Sequence, residues 1–328
     1  MIRRTLSKVA KTAAFIALST LSAFAADKVT LRTNWLFYGS HGIFFLGIDK
    51  GFYSAQGIDL AVRQGNGSGN ANRLVANGED TFGYVSCASL ISLAAQDAPI
   101  ISVMEVDAMG TDAVLARPDS GIKNFKDLVG KKVLTTAGAG VNTFFPVAAK
   151  NAGVDPASIQ LVNVSENALV QSYLQGLAPA MLAGIDDKPA EIIAHGGQPP
   201  VQIPYSDYGV YQPGYAIVTN KELLKKNPDL VRRFVKATLQ SVQAAQKDPD
   251  SCIQSLVRWA GGASVDAKQA RQVLDVTLSI LFSPNNAAKT LGLNVDKDWD
   301  SAVGLLKSYS GLKTDKSYTA FFTNDYVK

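Results

Sequence analysis

The sequence predicts an α/β protein of two lobes, each a mostly parallel sheet flanked by helices, with two crossovers of the chain between them. Three observations lead there. Short β-branched runs alternate with helix-like periods through most of the chain. After about residue 220 the pattern changes to longer amphipathic helices with few strands. Without a leader, about 300 residues remain, more than one small core usually holds.

The first 25 residues read as a leader rather than as part of the fold. MIRRTLSKVAK carries four positive charges and no acid, TAAFIALSTLSAF is apolar, and Ala23-Phe24-Ala25 is a small-x-small cleavage signal. An uncleaved anchor competes poorly, because the apolar run falls short of a spanning helix. Then KVTLRTNW is a strand, GIFFLGIDKGFYSA a helix, IDLAVR a strand and NANRLVANG a helix. TFGYVS, APIISVMEV, AVLARP, KKVLTT and IQLVNV are further strands, separated by helices such as SCASLISLAAQ and NTFFPVAAKNAG. KELLKKNPDLVRRFVKATLQSVQAAQKD and VDAKQARQVLDVTLSILF are long helices, with Leu223, Val231, Phe234, Leu239 and Val242 spaced for one buried face.

Two extended segments serve as joints, TDAVLAR (111–117) and GYAIVT (214–219). If they pair as antiparallel neighbours, the chain leaves the first lobe at one and returns at the other. The lobes are then residues 26–112 plus 216–328 and residues 113–215. A single larger doubly wound domain is the competing arrangement.

Removing Arg3, Arg4, Lys8 and Lys11 with the leader takes the formal charge from +4 to zero. There is no polybasic stripe, so nucleic acid is a poor partner. Cys87 and Cys252 are the only cysteines. They leave a disulfide open, but they make neither a disulfide scaffold nor a metal motif.

Ligand contacts are expected at three loops. The aromatic–histidine loop between the first strand and first helix offers Trp35 and Tyr38 as flat faces, and His41 as donor and acceptor. In QGNGSGNANRL, glycines follow a strand and open a helix, so backbone N–H groups and a helix N-terminus face outward, with Ser68 and Asn70 beside them. TTAGAGVNTFF repeats that logic in the second lobe through Gly138, Gly140 and Asn142. Tyr208, Tyr211 and Gln212, just before the second joint, are further candidates. At each of these, an ordinary capped turn or a packing role is the plain alternative.

Catalytic signatures are few. Two histidines cannot supply a multi-histidine metal set, and HExxH, CxxC and GxSxG are all absent. A dyad of Cys87 with His41 stays open, although Cys87 reads better as a small buried residue. The expectation is a protein that is not an enzyme and holds no metal or cofactor.

With W-x5-H (Trp35 and His41), KGFYSAQGIDL, the GNGSGN turn, ANGEDTFGYVS, LARPDSGIKNFKDLVGKKV, TNKELLKKNPDLVRRFVKA and AAQKDPD, nearly the whole chain resembles one family. It is the ABC-importer substrate-binding proteins for nitrate, taurine, aliphatic sulfonates and thiamine-pyrimidine precursors. The resemblance implies the two-lobed, type II periplasmic binding protein fold and capture of a small solute for a permease and its ATPase at the inner membrane. It implies a periplasmic monomer. The W-x5-H arrangement is similar to the thiamine-pyrimidine branch, which implies that Trp35 stacks on a heterocycle and His41 hydrogen-bonds to it. Departures are Pro179 where the group often has an acid, LFYGS where the pyrimidine branch often has Asn, and the absence of the CCCFC motif of pyrimidine-synthesising relatives.

Overall fold

The computed structural model describes residues 26–137, 139–261 and 265–327. The leader expected at 1–25 and the contact expected at Gly138 lie outside the described residues. In chain order, β1 (Asp27–Arg32), β2 (Ile58–Arg63), β3 (Phe82–Ser86) and β4 (Ile100–Asp107) come first. β5 (Asp112–Ala116), β6 (Lys132–Thr135), β7 (Gln160–Asn163), β8 (Ala180–Gly184) and β9 (Val201–Pro204) follow, and β10 (Tyr215–Asn220) is last. They form two five-stranded sheets, ordered β2-β1-β3-β10-β4 and β7-β6-β8-β5-β9.

Each sheet runs one way except for a single reversed strand, β10 in the first and β5 in the second. The reversed strand is in each case the one that enters from the other sheet. Parallel strands put their C-terminal ends on one edge, so a chain leaving that edge meets the facing sheet at its equivalent edge and must run back along it. Both sheets therefore turn their strand C-termini toward a shared crevice, where α/β proteins bind ligands.

The two joints do not pair with each other, which corrects the expected register. β5 lies between β8 and β9, and β10 between β3 and β4. The crossover segments just outside them make the contact instead. Gly110 N–H donates to Gln212 O at 2.8 Å, and Gly214 N–H to Asp107 O at 2.8 Å. β8 and β9 went unread in the sequence because AMLAG has weak strand propensity and VQIP ends on proline.

Helices cover the sheets: α1 (Gly42–Asp49), α2 (Ser68–Ala76) and α3 (Cys87–Ala94) on the first, α4 (Val141–Asn151), α5 (Glu166–Leu174) and α6 (Lys188–Ala194) on the second. The C-terminal part contributes α7 (Lys221–Lys226), α8 (Pro228–Lys247), α9 (Pro249–Trp259), α10 (Ala267–Ser279) and α11 (Asp296–Tyr309). The long helix expected from Lys221 breaks at Asn227, whose side chain caps α8 by accepting from Leu230 N–H at 3.1 Å. Pro228 follows at the first helical position, where its missing N–H costs nothing. On α8, Val231, Phe234 and Val242 are fully buried, and Phe234 stacks on Phe82 at 3.8 Å between ring centroids. Cys87 and Cys252 are buried free thiols. Among the described residues, no helix is long and apolar enough to cross a membrane.

Candidate functional site

Between the two sheets lies a cleft of two chambers that share a wall of Asp186, Asp187, Lys188 and Tyr215. The outer chamber, about 630 Å3, is lined from the first sheet's side by Asn34, Trp35, Phe37, Tyr38, Gly67 and Ser68. α10 closes another side with Gln269, Ala270 and Val273. The inner chamber, about 430 Å3, takes Asp112, Thr136, Gly140 and Phe144 from the second sheet's side and Gln212 to Gly214 from the crossover.

Of the residues expected from the sequence, Trp35, Tyr38, Ser68, Gly140 and Gln212 line these chambers. Trp35 is half exposed. Ser68 accepts from Ser86 N–H at 3.0 Å through Oγ, which leaves its own proton free for the cleft. Five others do not line the chambers, Tyr211 among them. Asn70 turns back to donate to Asn66 Oδ1 at 2.7 Å. Asn142 accepts from Thr135 Oγ and donates to Thr136 O at 2.8 Å, closing the end of β6. Tyr208 packs edge-on against Phe125, ring centroids 4.7 Å apart. His41, the fifth, is fully buried beneath the aromatic loop.

His41 nevertheless fixes the chemistry of the outer chamber. Tyr38 N–H donates to its Nδ1 at 3.3 Å, so that nitrogen is bare and the ring proton sits on Nε2. Nε2 lies 2.8 Å from Asn34 Oδ1 and must donate to it. Tyr38 OH donates to the same oxygen at 3.3 Å. The Asn34 amide is therefore locked with its oxygen inward, and its NH2 is the group left for the chamber it lines. Asn34 is one of the residues the sequence reading missed. The signal was its place directly before Trp35, at the C-terminal end of a strand. Burial lowers the His41 pKa to about 3. Nitrogen-detected NMR is therefore expected to show a neutral, Nε2-protonated ring throughout pH 5 to 8, the range where a free histidine titrates.

No Cys87–His41 dyad forms. Both His41 nitrogens are engaged elsewhere, and burial holds the Cys87 thiol well above its usual range.

The cleft is acidic. Burial lifts Asp112 to about 6, with Gln212 Nε2 donating to its Oδ2 at 3.2 Å. Desolvation by the cleft walls, and after it the Asp186 charge, raises the half-exposed Asp187 carboxyl above its usual range. Behind Tyr215, Asp107 is buried, accepts from Tyr84 OH at 2.9 Å, and is raised to about 8 by burial. A carboxyl raised above its unfolded value of about 4 binds more protons when folded, so its stabilisation is complete below about pH 4 and is lost as pH rises through about 8. Urea unfolding from pH 5 to 8.5 should show stability falling with pH, and Asp107→Asn should flatten that slope.

Two α/β lobes with a ligand-sized cleft between strand C-termini define the periplasmic binding protein fold. The aliphatic sulphonate binding protein SsuA of Escherichia coli superposes with a TM-score of 0.70 at 15% identity, covering 89% of this chain and 91% of that one. The chain belongs to the NMT1/THI5-like family, whose model matches residues 39–252. It is 24% identical over 322 residues to the 4-amino-5-hydroxymethyl-2-methylpyrimidine phosphate synthase THI11 of Saccharomyces cerevisiae, covering 92% of this chain and 88% of that protein. It is 22% identical to the riboflavin-binding protein RibY of Chloroflexus aurantiacus, covering 92% and 86%, and 21% identical to the formylaminopyrimidine-binding protein of Halalkalibacterium halodurans, covering 88% and 87%. These relatives correct the expectation that the chain is not an enzyme. Near-full-length relatives from yeast and from Legionella pneumophila bear an enzyme's name, beside others named as binding proteins.

Proposed function

We propose that the chain is the extracytoplasmic solute receptor of an ABC importer and closes its two lobes on a small nitrogen heterocycle such as an aminopyrimidine. The lobes are residues 26–112 with 216–328 and residues 113–215, the leader is residues 1–25, and the protein works as a periplasmic monomer with a permease and its ATPase. The observation that carries this is the pairing of the Trp35 face with the locked Asn34 amide in one chamber. Trp35 stacks on the ring and Asn34 donates to a ring nitrogen. Ser68 and the backbone at Gly140 hold polar substituents. The exocyclic amine of an aminopyrimidine finds acceptors at Asp186 and Asp187.

The acidic lining favours this class over sulfonate or nitrate, whose charge would face carboxylates. The formylaminopyrimidine-binding and riboflavin-binding relatives support a heterocycle as well. Thermal-shift screening of the secreted protein tests the proposal. Aminopyrimidines are expected to raise Tm in a dose-dependent way, and a larger shift from alkyl sulfonates or nitrate would overturn it.

The synthase names among the relatives favour a second reading, in which the bound pyrimidine is formed or converted in the same cleft. Mass spectrometry of the bound fraction separates the two. Recovery of the added heterocycle unchanged supports reception, and a new mass supports conversion.

A further inference from the structure

The ring that Trp35 faces is seated by the outer chamber, and the inner chamber has a chemistry of its own. Its charged lining is one-sided, with Asp112, Asp186 and Asp187 against one lysine, Lys188. That lysine lies 3.4 Å from Asp187 and 3.0 Å from Glu191, so its charge is shared with a further carboxylate. Gln212 is an independent feature. It is nine-tenths buried, it lines the chamber, one of its Nε2 hydrogens goes to Asp112, and among the described residues its Oε1 has no hydrogen-bond partner. Thr136, which also lines the chamber, has its Oγ buried without a partner. The carboxylates and the Gln212 amide oxygen give this chamber acceptors that a donor-rich group would satisfy.

The geometry points to an inner-chamber site for a protonated amine, carried as an arm on the aromatic ring held in the outer chamber. An ammonium brings three donors and a positive charge, the complement of the carboxylates and of Gln212 Oε1. The shared wall at Asp186, Asp187 and Tyr215 is where ring and arm join, so one short linker reaches both chambers. The arm's attachment to a ring rests on the function proposed above; the preference for an amine does not. Asp107, Asp186, Lys188, Glu191 and Tyr215 are the other titratable groups around this space. Asp112 and Asp187 are both raised, so an ammonium that binds their charged forms releases protons, and its affinity rises with pH through about 6.

The test is calorimetry on the full secreted chain with three probes that share one aminopyrimidine ring and differ in the arm: aminomethyl, hydroxymethyl or carboxymethyl. The aminomethyl probe is expected to bind about tenfold more tightly than the hydroxymethyl probe, with the carboxymethyl probe weakest. In Asp186→Asn/Asp187→Asn the amine-to-hydroxyl ratio should collapse toward one. Equal or tighter binding of the hydroxymethyl or carboxymethyl probe by the unmodified protein overturns the inference. If no ring probe binds, propylamine and propanol decide. A larger Tm rise from the amine, lost in the double variant, keeps the amine site and discards the ring. No difference between them discards the amine site.

Discussion

Trp35→Ala is expected to weaken binding of an aromatic heterocycle by about 1–3 kcal/mol, or roughly 5- to 150-fold in Kd. The indole is 54% exposed, so its removal leaves no cavity in a core. Its backbone is held without the ring, since Thr33 Oγ donates to Trp35 O at 2.7 Å and Gly65 N–H to the same oxygen at 3.1 Å. Stability should therefore change by no more than about 0.5 kcal/mol, as for surface substitutions generally. Calorimetry with an aminopyrimidine reads the affinity and urea unfolding reads the stability. An unchanged Kd would remove Trp35 from the site, and Trp35→Phe should recover part of the loss.

Gly39→Ala is expected to lower stability by about 3 kcal/mol, the upper end for overpacking, because the obstacle is backbone. A Cβ at Gly39 would stand 2.0 Å from Ala270 O and 2.8 Å from Val273 Cβ on α10. The cause is steric; the turn containing Gly39 has no left-handed residue. The neighbouring Ser40 Oγ and Thr277 Oγ hydrogen-bond at 2.6 Å, pinning the same helix. α10 supplies Gln269, Ala270 and Val273 to the outer chamber, so pushing it away also moves a wall of the site. Tm and affinity should fall together, whereas Trp35→Ala separates them. A variant with unchanged Tm would show that α10 yields freely and that the close approach is not needed.

The alternation of strand and helix was legible because each run carries its own period, and so was the crevice at the strand ends. Sheet order was not, because AMLAG and VQIP become strands only through neighbours far away in the chain. At the site, Trp35 was legible as an aromatic on a strand-to-helix loop, whereas the function of His41 was not. A lone histidine gives no sign of which nitrogen is engaged; Tyr38 N–H and Asn34 decide that in three dimensions. The acidic wall was missed for the same reason. Asp186 and Asp187 follow β8, a strand that went unread, and they meet Asp112 only because β5 pairs with β8. Asn70 and Asn142 looked like donors to a ligand, but each is consumed by its own turn.

The crossover segments hydrogen-bond to each other on both sides of the passage between sheets, at Gly110 with Gln212 and at Asp107 with Gly214. Two separate tethers would let the halves slide, splay and twist independently. Stitched side by side, they behave as one ribbon that is stiff in its plane and bends mainly about a single axis. Guests of different bulk would then be sorted along one angular coordinate, and a docking partner would need to gauge nothing more than how far that angle has turned.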